Sequence, residues 1–179
     1  MIDLKPACEQ MITLVDTVTP DQLSDPTPCD QYRVRDLLEH IDSVSTGFAA
    51  IARKQVAEPT ALSFADGWQI RVANHVRDLG VAWGNPTAWD GLGAAAGLEL
   101  ANEVWGRIVL TELVVHAWDL ATATGQSTDL PEDTLRACLD HVVDFVPNAP
   151  IPQLWGSPVE LADEAALLDR IVAVTGRTP

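Results

Sequence analysis

Between Ile2 and Val18 the apolar residues Leu4, Ala7, Met11, Leu14, Val15 and Val18 recur at helical spacing, which predicts a first helix that Thr19-Pro20 stops. Ser24 to Asp30 reads as a rigid turn, because Pro26 and Pro28 forbid helix and Asp30 is placed to cap the next one. A second helix is predicted from about Tyr32 to Gln55, with Val34, Leu37, Ile41, Val44, Phe48 and Ile51 as its apolar stripe. His40 sits at the edge of that stripe beside Ser43 and Gly47, a position that suits a side chain aimed into a cavity.

Trp68, Val72, Val76, Leu79 and Trp83 repeat the pattern in a third helix from Phe64 to Trp83, ended by Gly84-Asn85-Pro86. Thr87 to Gly97 is rich in small residues and is expected to be a loop or an irregular lead. The fourth helix, from about Leu98 to Thr124, is the longest and most apolar, with Gly125 as its stop. Pro131-Glu132-Asp133 starts a fifth that runs to about Phe145. Pro147, Pro150 and Pro152 then predict an extended linker. Val159 to Leu161 is one short strand or plain extended chain, and a last helix from Asp163 to Thr175 is terminated by Gly176. The expected fold is all-α: an antiparallel four-helix bundle over residues 1–146, with a short C-terminal extension, 147–179, packed on it.

Composition narrows the function. A chain of 179 residues, 47% hydrophobic, can bury one substantial core and is short for two ordinary domains. No apolar run approaches a membrane span, and Met1 to Leu4 lacks the layout of a secretory signal, so a soluble, cytoplasmic protein is expected. Cys8, Cys29 and Cys138 are odd in number and widely spaced, as reduced thiols would be. A formal charge of −15 repels phosphate backbones and anionic lipid, which argues against nucleic acid or membrane partners. Its plainest reading is a solvated acidic surface.

The candidate chemistry lies on the fourth helix. Glu112 and His116, four apart, project from one face together with Trp105, Ile108, Val109, Val115, Asp119 and Leu120. A carboxylate on an apolar, inward-looking stripe is costly unless its charge is compensated, and a divalent cation shared with His40 would do that. Two imidazoles and one carboxylate suit zinc best, with nickel, iron or manganese also compatible, and three protein ligands leave a position open for a substrate. Asp119, one turn beyond His116, is placed to orient an imidazole or to bind a substrate water. Taken alone, the spacing favours a plainer reading, two satisfied bundle histidines and a paired Glu112, since E-x-x-x-H recurs by chance.

The remaining residues carry two readings each. His75 is a fourth ligand or acid/base group, or a hydrogen-bonded core histidine; His141 is expected at the surface. Cys29, at a helix start, is a reactive thiol or a packing thiol, with packing the stronger reading. Trp105 is expected to line the pocket and Trp118 to pack between helices. Arg33 and Arg35 hold a substrate carboxylate or are simply exposed.

The stretch Thr27-Pro28-Cys29 through Val34-Arg35-Asp36-Leu37-Leu38-Glu39-His40 resembles the DinB-like superfamily, in its mycothiol-dependent maleylpyruvate isomerase N-terminal branch. So does Glu112-Leu113-Val114-Val115-His116-Ala117-Trp118-Asp119-Leu120-Ala121 with the following Ala123-Thr124-Gly125. Leu168-Asp169-Arg170 and Gly176-Arg177 look like the tail of the actinobacterial metal-binding proteins of that branch. The resemblance implies a four-helix bundle whose metal ligands fall on His40, Glu112 and His116, the same three residues that helix-face geometry selects. It also implies an ion that activates a mycothiol-type thiol for transfer or isomerisation of a small molecule.

Two departures stand out. Tyr32 replaces a common tryptophan, with an effect expected only on packing, and about thirty residues follow Asn148 where the isomerase resembled has a larger C-terminal domain. A metal- and thiol-dependent transferase or isomerase is the first expectation. A non-catalytic metal-binding or ligand-sensing module is the second, and a bundle that merely pairs as a homodimer through apolar helix faces is the third.

Overall fold

Six helices and one hairpin appear in the computed structural model, which describes residues 1–57, 61–162 and 164–179. The helices are α1 (Lys5–Thr17), α2 (Val34–Ala52), α3 (Trp68–Trp83), α4 (Asn102–Thr124), α5 (Glu132–Phe145) and α6 (Leu167–Val174). α1 and α2 each pack against both α3 and α4, so the four surround one core, and α5 and α6 are added on the α4 side. Met11, Leu37, Leu79, Leu110, Val142 and Ile171 bring α1 through α6 into that single core. The fold is the all-α bundle expected.

α4 is apolar because it is covered on nearly every side. It touches α1, α2, α5 and α6, and its buried residues include Trp105, Leu110, Val114, Ala117 and Leu120, which lie on different faces. No helix among the described residues is long and apolar enough to cross a membrane.

Several boundaries differ from expectation for identifiable reasons. α2 starts at Val34, where Asp36, rather than Asp30, accepts the Arg33 N–H at 3.0 Å. It ends at Ala52, ahead of Lys54 with φ 58°. Its buried face runs through Leu38, Asp42, Ser45 and Ala49, leaving Val44 and Phe48 only half-buried. α3 begins at Trp68, after Gly67 at φ 85°.

The region expected as a loop leading into helix is instead a hairpin. β1 (Leu92–Ala95) pairs antiparallel with β2 (Leu98–Ala101), Leu92 opposite Ala101 and Ala95 opposite Leu98. The two residues between them, Ala96 (φ 50°) and Gly97 (φ 77°), are both left-handed, the conformation that matches a two-residue turn to strand twist. α4 therefore starts at Asn102, not Leu98.

The proline-rich linker folds into two short 3₁₀ turns, Val146–Asn148 and Pro152–Leu154. Val159–Leu161 is extended chain, and its Val159 N–H donates to Ala173 O at 3.0 Å. The expected helix start at Asp163 lies outside the described residues; the helix described there begins at Leu167.

Candidate functional site

Glu112, His116 and Asp119 share one face of α4, at i, i+4 and i+7, and α2 brings His40 across to meet them. His40 Nε2 lies 3.0 Å and His116 Nε2 3.2 Å from the same oxygen, Glu112 Oε2. The two imidazoles stand edge to face, 4.9 Å between centroids. One ligand atom from each of the three residues falls within 4.8 Å of the others.

Behind this group runs a chain of charged contacts. His116 Nδ1 is 2.9 Å from Asp119 Oδ2, and Asp119, with no exposed side-chain surface, accepts from Arg177 Nη2 at 2.8 Å and Nε at 3.0 Å. Burial alone would push the Glu112 carboxyl up, yet hydrogen bonds from His116 and His40 outweigh it and hold the group well below the usual carboxylate range. Burial likewise opposes charge on His116, but Asp119 and Glu112 together raise it to about 9.

The site opens into a cavity of about 290 Å³. Its walls are the turn before α2, the middle of α4, the Gln153–Gly156 stretch and the C-terminal Thr175–Arg177 stretch. Tyr32 lines it with its hydroxyl 3.4 Å from His40 Nδ1 and its ring 5.3 Å from the imidazole, so its influence reaches beyond packing. The Thr27 hydroxyl, donating to Tyr32 O at 2.8 Å, holds the turn that delivers Tyr32 and Cys29. Cys29 also lines the cavity, but burial raises its thiol pKa more than Arg177 lowers it, so no activated thiolate results.

Other candidates lie elsewhere. His75 gives its Nδ1 to Asp42 at 2.6 Å, the hydrogen-bonded reading, and does not line the cavity. Trp105, expected in the pocket, instead packs beside Phe48 with the rings tilted at 47° and donates Nε1–H to Gly93 O at 2.9 Å. Arg33 donates to Ser24 O, and Arg35 lies over the Phe64 ring.

His141 is a correction. It is buried rather than at the surface, stacked on Phe145 at 4.8 Å, because α5 is covered by both α4 and α6. Two contributors escaped the sequence reading: Arg177 as partner of Asp119, and Tyr32 as neighbour of His40. For the first, the sequence offers the helix-ending Gly176 and the Gly176-Arg177 tail resemblance, neither of which points to Asp119.

Residues 4–92 match the family described as the mycothiol maleylpyruvate isomerase N-terminal domain. Two proteins of Mycobacterium tuberculosis, from strains CDC 1551 / Oshkosh and H37Rv and both described as uncharacterized, are each 32% identical over 182 residues. These alignments cover 96% of this chain and 94% of each relative. Among solved structures, a histidine-to-alanine variant of the mycothiol-dependent maleylpyruvate isomerase superposes with a TM-score of 0.58 at 16% identity. That match covers 78% of this chain and 68% of the other, a likeness of fold.

Proposed function

Because the chain belongs to the mycothiol maleylpyruvate isomerase N-terminal domain family, we propose that it binds one divalent metal ion through His40, Glu112 and His116 and acts on a low-molecular-weight thiol. The reaction class is transfer or isomerisation of a small molecule. The observation that carries the reading is the convergence of two imidazole Nε2 atoms on one carboxylate oxygen, at 3.0 and 3.2 Å. Neighbouring ligands around a tetrahedral ion at about 2.1 Å stand roughly 3.4 Å apart, close to both distances to Glu112 Oε2, and all three ligand atoms lie within 4.8 Å of one another. Zinc is favoured, with nickel, iron and manganese compatible with the same donors.

An ion held there, with a position open to the cavity, would favour the thiolate form of an arriving thiol at neutral pH. The chain's own residues do the rest. Asp119 accepts from His116 Nδ1, which leaves Nε2 as a donor atom on the cavity side. The Tyr32 hydroxyl faces His40 Nδ1 and can play the same part for the second ring. Pro28, Leu154 and Trp155 supply apolar wall that keeps bulk water from one side of a bound molecule.

Elemental analysis of protein purified without chelator tests the site, followed by the same measurement on His116→Ala. Metal in the first and its loss in the second is the expected result; no metal in the first, or unchanged content in the second, removes the reading. Incubating the metal-loaded protein with mycothiol and an electrophilic acceptor then tests turnover. Metal-dependent thiol consumption supports the enzyme, while retained metal without consumption assigns a non-catalytic binding or sensing module.

A further inference from the structure

The last helix ends in a turn that sends one side chain back into the bundle. Gly176 takes φ 91°, its N–H donates to Ala173 O at 3.0 Å, and the Arg177 N–H donates to Val172 O at 3.0 Å. This pair of bonds across a left-handed glycine is the Schellman helix stop. The Arg177 side chain, only 11% exposed, then crosses to α4 and meets Asp119 with two nitrogens, Nε to Oδ1 and Nη2 to Oδ2. Its third nitrogen, Nη1, donates to the Thr175 carbonyl and hydroxyl, each at 3.3 Å.

We propose that Arg177 is a positioning residue for the cavity site: by gripping Asp119 it fixes the His116 ring with Nδ1 engaged and Nε2 turned toward His40 and Glu112. The inference rests on the reading of those three residues as a metal site. A carboxylate turns easily about its terminal torsion, so Asp119 held by His116 alone could swing, and the imidazole with it. A planar guanidinium that meets both oxygens removes that freedom, and no single-point cation does so equally well. Nη1, tied to Thr175, fixes the fork in turn. The ligand geometry on α4 is thereby set from a residue 58 positions away, at the far end of the chain.

Arg177→Met and Arg177→Lys in the full chain test this by three readouts. They are zinc affinity by chelator competition, the d–d absorption of the cobalt(II)-loaded protein, and the imidazole Nδ1–H signal of His116 in metal-free protein. Arg177→Met is expected to weaken zinc binding by about 10- to 100-fold. It should also alter the cobalt bands and expose the Nδ1–H signal to solvent exchange. Arg177→Lys, which keeps the charge but not the fork, should fall between, and it carries the test if the methionine variant does not fold. A purely structural arginine would lower the melting temperature and leave all three readouts alone; zinc affinity within twofold of wild type with unchanged cobalt bands overturns the proposal. If wild-type protein binds neither metal, the metal-site reading fails, and the Nδ1–H signal decides the clamp: loss in the variants supports it, persistence overturns it.

Discussion

Gly156 and Gly176 pass backbone to backbone: a Cβ added to Gly156 would stand 3.0 Å from Gly176 Cα, and one added to Gly176 would press on Gly156 Cα. Both residues also wall the cavity beside Arg177. Gly176→Ala is therefore opposed twice, by its φ of 91° and by contact with Gly156. A loss of about 3 kcal/mol in urea unfolding is expected, with zinc affinity lowered as the arginine is displaced. A loss below about 1 kcal/mol would show that the 153–156 stretch simply gives way.

Asp42 and His75 make an unequal pair. Asp42 is 1% exposed, whereas His75 and Arg71, its two cationic-type partners at 2.6 and 3.4 Å, are 30% and 38% exposed. Removing Asp42 frees partners that can reach water, so Asp42→Ala should cost about 1 to 2 kcal/mol. Removing His75 leaves a buried carboxylate with only the longer Arg71 contact, and His75→Ala should cost about 3 kcal/mol. Chemical denaturation of the two variants checks the order, and the reverse order would refute this account of the pair.

Gly106 sits in α4 where Trp89 crosses, and a Cβ there would lie 2.6 Å from Trp89 Cη2 and 3.0 Å from Trp83 Cζ3. Alanine in a helix interior normally gains about 1 kcal/mol over glycine. Here two indoles must shift, one of them anchored by its Nε1–H to Trp83 O at 2.9 Å, and overpacking of this kind costs about 1 to 3 kcal/mol. Gly106→Ala is expected to be net destabilising by about 1 kcal/mol despite the better helix former. A raised melting temperature would mean that the indoles move freely.

His141 provides a pH signature independent of the cavity. Burial first, then the nearby Arg107, lowers its pKa to about 4 against an ordinary 6.5, and its Nε2 has no hydrogen-bond partner. Between those values the unfolded chain binds a proton that the folded chain does not, so this residue makes stability fall as pH drops from 6.5 toward 4. Above 6.5 its contribution is constant. His141→Phe should flatten that acid limb, read as melting temperature against pH; an unchanged slope would place the acid sensitivity elsewhere.

Helical periodicity over α1, α3 and α5 is readable along the chain because each buries an apolar stripe, a local regularity that survives without knowing its partners, whereas α4, buried on several faces, is legible from its length and apolarity. The nearness of Glu112 and His116 followed from helix geometry alone, and His40 joined them through its edge position and the family wording. Sequence leaves undecided what no local period or family motif marks. The hairpin was missed because Leu92–Ala95 and Leu98–Ala101 have small or mixed side chains, and the turn rests on the backbone angles of Ala96 and Gly97. His141 was misplaced because α5 is covered from two sides, and Asp42 entered the buried face of α2 because His75 and Arg71 were there to receive it. Arg177 lay in plain view at the end of the chain, but no period or motif links it to Asp119; only the turn at Gly176 and the packing of α6 against α4 bring the two charges together. Local order is encoded residue by residue, whereas the company a buried charge keeps is settled only when separate helices are laid against one another.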